Sequence, residues 1–230
     1  MATTFEKLKN KIKVNNVRKI LSQLWTDLFK EPFYFLTHPL KGFWEFKFED
    51  RRKNYVAIFY LVLMCITQII SYNKLGFLIN RNNPMEFNAL KIVLLILVPV
   101  VLITIGNWSV TTLFSGKGTM TEIFSVITYS FAPYTWVMLP TIYLSNYVVA
   151  EEVVFVNALM TFAVILMVFM AFFGLLVIHE YGLLKSIITL LATVIAIGVM
   201  IFIVFLFLTI FQQLYSFIYS IYREYVMRYL

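Results

Sequence analysis

His179-Glu180 is the point in this chain closest to a catalytic motif. A zinc metalloprotease helix carries H-E-x-x-H, two imidazoles one turn apart on the metal with the carboxylate as base. Here the second imidazole position holds Leu183, and the other histidine, His38, lies far upstream. A single cysteine, Cys65, excludes a disulfide framework or a thiolate metal cluster. No Asp follows Asp50, so an intramembrane aspartyl pair is excluded, and serines in the apolar runs have no histidine at matching depth to activate them. Gly116-Lys117-Gly118 lacks the spacing of a phosphate-binding loop and reads as a turn. Asn107-Trp108-Ser109 fits the glycosylation pattern but sits within an apolar run, where it stays unmodified. The expectation is a non-enzyme with no catalytic residues, no cofactor and no metal.

The elements that carry these residues belong to a membrane. Of 230 residues 61% are apolar and 13% charged, against about 45–50% and 25% in soluble domains. Twelve of the nineteen Lys and Arg precede Tyr55. Basic residues gathered ahead of a first apolar run mark the cytoplasmic side and favour anionic lipid over nucleic acid. Five apolar runs follow, near Tyr55–Tyr72, Ile92–Phe114, Glu122–Tyr147, Val153–Ile178 and Leu183–Phe211, each close to the roughly 20 residues that cross a hydrocarbon core. With the N-terminus inside, fourteen basic residues fall inside and five outside. The expected fold is all-α: a polytopic bundle of five transmembrane helices with an N-terminal amphipathic arm, N-terminus cytoplasmic and C-terminus outside. The expected division is an arm at 1–53, a membrane domain at 54–213 and a tyrosine-rich tail at 214–230.

From Thr4 to Lys30, apolar residues at helical spacing alternate with lysines and Arg18. Such a helix lies in the membrane interface or packs on a partner's cytosolic domain. After His38-Pro39, the rings of Phe43, Trp44 and Phe46 interleave with cations including Arg51, Arg52 and Lys53, a mixture suited to the headgroup layer. At the other end Tyr215, Tyr219, Tyr222, Tyr225 and Tyr229 recur every three or four residues, as an interfacial belt or as a docking or sugar-stacking face.

The hairpin Gly106–Asn146 is expected at the centre of the bundle. Gly106 permits close helix approach, with Asn107 and Trp108 beside it, and Thr119 and Glu122 spell a T-x-x-E capping box. Pro133 and Pro140, downstream of Tyr129, interrupt the third run and require neighbouring helices to satisfy the freed carbonyls. The runs contain no charged side chain in their interiors, only neutral groups such as Gln68, Asn107, Thr128, Ser130, Thr135 and Thr193. Helix-to-helix hydrogen bonding is the favoured role for these, substrate lining the alternative.

Gly106-Asn107-Trp108, the Ser115–Gly118 turn, Glu122-Ile-Phe, Tyr129-Ser-Phe-Ala-Pro133 and Pro140 together resemble the Yip-domain family of five-span membrane proteins. His38-Pro39-Leu-Lys-Gly-Phe-Trp is similar to the pre-membrane motif of its bacterial branch. The resemblance implies five helices, a bacterial plasma membrane, and a role as accessory subunit of an oligosaccharide ABC importer. Expected partners are membrane lipid and other integral membrane subunits, ABC permease components among them. Two alternatives stay open: a membrane organiser working with lipids or small GTPases, and an independent small-solute channel or transporter.

Overall fold

The computed structural model describes residues 22–49 and 51–229; residues 1–21 of the expected amphipathic arm lie outside the described residues. A π-helical turn, Thr26–Lys30, leads into α1 (Glu31–Thr37) and α2 (Pro39–Phe48), which His38-Pro39 separates. Then come α3 (Asn54–Lys74), α4 (Ala89–Leu113), α5 (Met120–Tyr129), α6 (Phe131–Leu144), α7 (Val153–Ile178) and α8 (Leu183–Tyr229). No strand occurs among the described residues. Four of their helices are long and apolar enough to cross a membrane: Asn54–Lys74, Ala89–Leu113, Ala150–Ile178 and Leu183–Arg228.

The run expected as one span, Glu122–Tyr147, is two helices. The break falls at Ser130, whose hydroxyl donates to the Ile127 carbonyl. Pro133 follows it as the third residue of α6, where an N–H has no intrahelical partner and proline removes nothing. Only Pro140 lies inside a continuous helix, contrary to the expectation that both prolines interrupt one. The capping box at the start of α5 has both halves: Thr119 accepts from Glu122 N–H at 3.3 Å and Glu122 accepts from Thr119 N–H at 2.8 Å.

One core runs through α1 to α7, with α4 contributing Val100. Phe43 and Phe46, expected at a headgroup layer from their spacing among cations, turn into the core of the protein. They are 0% and 1% exposed, packed with Phe35 and Tyr129 at ring-centroid separations of 5.3–5.9 Å. The reason is on the partner helices: Gly174 of α7 leaves the space that Phe43 enters, since a Cβ there would lie 3.0 Å from its ring. Trp44, on the opposite face of α2, is half exposed. The cations are likewise engaged within the chain. Arg51 pairs with the buried Glu45 at 2.9 Å, and Arg52 reaches Thr121 at 3.3 Å. Lys53 holds Asp27 at 2.5 Å and Glu31 at 3.2 Å. Burial raises the Glu31 pKa despite that lysine. Burial also opposes the Lys53 charge, but its two carboxylates outweigh this and raise its pKa. Tyr129 ties the same corner, donating to the Lys53 carbonyl and accepting from its N–H.

Candidate functional site

At the end of the bundle that carries α1 and α2, the α4–α5 loop interlocks with the α7–α8 loop. Both helices close alike. After α4, Ser115 takes a left-handed conformation (φ 57°) and Gly116 N–H donates to the Thr111 carbonyl at 2.7 Å. After α7, Glu180 is left-handed (φ 57°), Tyr181 N–H donates to the Leu176 carbonyl and Glu180 N–H to that of Val177. This closure normally uses glycine, because a side chain there costs roughly 1–2 kcal/mol. Glu180 is held instead by charge: its carboxylate meets Lys117 at 2.6 Å and Lys47 of α2 at 3.0 Å. These two lysines, through their hydrogen bonds, lower its pKa. Lys47 also donates to the Ile178 carbonyl at 2.7 Å, a cation at the negative end of α7.

His179 is the hub. Gly118 N–H donates to its Nδ1 at 3.2 Å, so the neutral ring carries its proton on Nε2 and donates to Asn107 Oδ1 at 3.0 Å. Asn107 Nδ2 donates to Thr193 Oγ1 at 3.2 Å, and Thr193 donates to the Thr189 carbonyl at 2.7 Å. One hydrogen-bonded chain therefore joins a loop, α4 and α8, with the side chains of His179, Asn107 and Thr193 buried. Burial, with Lys47 nearby and against a smaller pull from Glu122, lowers the His179 pKa from 6.5 to about 4. Tyr181 stacks on the ring at 5.4 Å and donates to the Thr111 and Phe114 carbonyls. A Cβ on Gly116 would lie 2.6 Å from the Tyr181 hydroxyl, and one on Gly118 2.6 Å from His179 Cε1. Those glycines are there for close approach.

Chemically this is an anchor. The imidazole is neutral, buried and committed at both nitrogens. Among the described residues no group of three His, Cys, Asp or Glu is placed to hold a metal. What the hub does is fix the base of α8 against α4. Along that seam α8 presents Ser186, Thr189 and Thr193, and a Cβ on Gly106 would lie 2.9 Å from Ile197. Small and hydroxylated residues are what hold apolar helices together in lipid, where hydrophobicity gives no preference for protein over acyl chain. Beyond Met200 the helix emerges from the packed bundle: every residue from Ile201 to Glu224 is exposed.

Of the residues singled out by sequence, Gly106 and Asn107 meet at the α4–α8 seam, while Trp108 points away from it and is 43% exposed. Thr119 and Glu122 shape the loop that ends on His179; Tyr129 and Pro133 are buried around α5 and α6, while Pro140 lies on an exposed face of α6. Tyr215, Tyr219 and Tyr222 lie on the free part of α8, the first two stacked at 6.4 Å. Sequence reasoning missed the role of His179, Glu180 and Gly118. Their signal was the pairing of two short polar loops, G-K-G after α4 and H-E-Y-G after α7, each able to complete the other.

The Yip1 domain family model matches residues 33–224, and the chain belongs to that family of membrane proteins. No curated protein and no solved structure matches it.

Proposed function

We propose that this protein is a non-enzymatic integral membrane subunit that docks a second integral membrane protein along the free part of α8. One observation carries the reading. α8 is a single helix of 47 residues, about 70 Å long at 1.5 Å per residue, against a hydrocarbon core of about 30 Å. It continues past its apolar run into a segment where Leu214, Phe217, Ile218 and Ile221 are all more than half exposed. Val204, Phe207, Phe211, Leu214, Ile218 and Ile221 repeat at alternating intervals of three and four, the seam spacing of a helix that packs along another helix. A rigid apolar stripe leading out of the bilayer is stable when another chain covers it.

In this reading the bundle crosses the membrane five times, α5 and α6 together making the third crossing, with the N-terminus in the cytoplasm and the C-terminus outside. The basic residues ahead of α3 support that orientation. The larger complex is an oligosaccharide ABC importer of a bacterial plasma membrane. Its support is the likeness of the His38–Trp44 segment to the pre-membrane motif of bacterial family members, and the lack of any nucleotide-binding motif in this sequence. Purification of tagged protein in mild detergent, with mass spectrometry of what accompanies it, is the test. Permease subunits in stoichiometric amount are the expected result. Small GTPases would favour the organiser alternative, and protein that purifies alone and moves solute in liposomes would overturn the proposal. Labelling of a lone cysteine at Ala150, in a Cys65→Ser background, tests the orientation: intact cells are expected to label.

A further inference from the structure

At the end opposite the anchor, α3 and α4 diverge around a cavity of about 610 Å³. Its mouth carries Ser71, Asn82, Glu86, Asn88 and Lys91; its depth is apolar, walled by Leu95, Pro99 and Ile103 and floored by Phe131 and Met167. The gradient is continuous. Lys91 and Glu86 are exposed, Ile96 and Ile103 half-buried, and Val100, Ile127 and Phe131 buried. From Lys91 to Ile103 the wall runs twelve residues, about 18 Å along the helix axis. Halfway down the opposite wall, Gln68 donates to the Tyr134 hydroxyl at 2.8 Å, which leaves its carbonyl oxygen as an acceptor. Pro99, which has no N–H, deprives the Leu95 carbonyl of its usual helical donor within the same wall.

We infer that this cavity is a binding site for one glycerophospholipid with an ethanolamine headgroup. The occupant follows from the charges. Lys91 and Glu86 form no ion pair with any described residue, and Glu86 has one neutral partner, Asn83 at 3.2 Å. An unpaired ammonium and an unpaired carboxylate at one mouth match a headgroup whose phosphate and primary amine lie next to each other. The phosphate accepts from Lys91 and the amine donates to Glu86. A purely anionic head would satisfy Lys91 and be repelled by Glu86, and a trimethylated amine has no proton to donate. Ser71 and Asn88 are placed for the ester and glycerol oxygens, and one acyl chain fills the wall between Leu95 and Ile103. The volume falls within the roughly 300–1,000 Å³ of sites for small ligands. A free phosphate or a soluble amine would leave that apolar depth empty.

The test uses the full chain, purified in detergent and delipidated by washing. Native mass spectrometry and thermal unfolding are then read with phosphatidylethanolamine, phosphatidylcholine or phosphatidylglycerol added back. Phosphatidylethanolamine is expected to bind at one copy per chain and to raise the melting temperature more than the other two. Glu86→Gln is expected to erase the preference for ethanolamine over choline. Lys91→Gln is expected to lose most binding of all three, and Ile103→Trp, which fills the depth, to lose the bound copy. Glu86→Gln and Lys91→Gln change exposed side chains, so their folding is not in question. Equal retention of the three lipids by the unmodified protein, or unchanged preference in Glu86→Gln, means ordinary annular lipid and overturns the proposal.

Discussion

The base of α8 and its far half are equally apolar helix, yet one is fixed and the other free. From Leu183 to Met200 the helix is tied to α4 by Thr193, Thr189 and the close approach at Gly106, and its start is held by the His179 interlock. From Ile201 to Glu224 it has Ile, Val, Phe and Leu in abundance, and every residue is exposed. In lipid an apolar side chain gains little by leaving acyl chains for protein, so packing follows small residues and hydrogen bonds. The difference lies in close approach: Gly106 and the Asn107–Thr193 hydrogen bond join α4 to the base of α8, while Val204, Phe207, Phe211, Leu214, Ile218 and Ile221 are exposed.

The largest expected effect is at the packed end. Phe43→Ala removes a fully buried ring and is expected to cost about 3–5 kcal/mol, read as a fall in melting temperature in detergent. Trp44→Ala, one residue on and half exposed, is expected to stay within about 1 kcal/mol. Similar losses for the pair would return α2 to the membrane surface.

Next comes the anchor. His179 holds a pKa near 4 in the fold, below its ordinary 6.5. Below pH 6.5 the unfolded chain takes up a proton that the folded chain refuses. The anchor's stability is therefore intact above about pH 6.5 and lost as pH falls towards 4, by a total on the order of 3 kcal/mol. Glu180, whose pKa is lowered, contributes its own loss only further down, below about 4.5. Thermal unfolding between pH 7 and 5 is expected to show this slope in the native chain and a flatter one in His179→Phe. Parallel slopes would show that the imidazole is not the group responsible.

A smaller effect separates the two faces of the seam. Gly106→Leu is expected to cost about 1–3 kcal/mol by overpacking against Ile197. Gly198→Leu, where a Cβ meets nothing within 4 Å, is expected to be neutral or stabilising. Smallest of all, truncation after Phe211 is expected to leave the melting temperature of the bundle within about 0.5 kcal/mol equivalent.

Much of the fold was legible in composition and period. Four runs long enough to span, the capping box at Thr119 and the turn at Ser115–Gly118 follow from local rules that act within one helix length. What sequence hid was tertiary. Phe43 and Phe46 read as interfacial because their neighbours are cations, and the gap at Gly174 that admits Phe43 lies on a distant helix. The break at Ser130 was masked by Pro133 and Pro140, the stronger local signals. The His179 hub joins residues 72 positions apart in the chain, and no periodicity reports such a pair. Asn107 was readable as a packing residue, but its histidine partner was not.

The central claim is that the far half of α8 is a docking element, and photocrosslinking in cells tests it most directly. A crosslinkable residue at Ile218 is expected to capture one integral membrane protein other than a second copy of this chain. The same residue at Val164, on the exposed face of α7, is expected to capture lipid alone. Capture of lipid alone at both positions, or of a second copy at Ile218, would contradict the account.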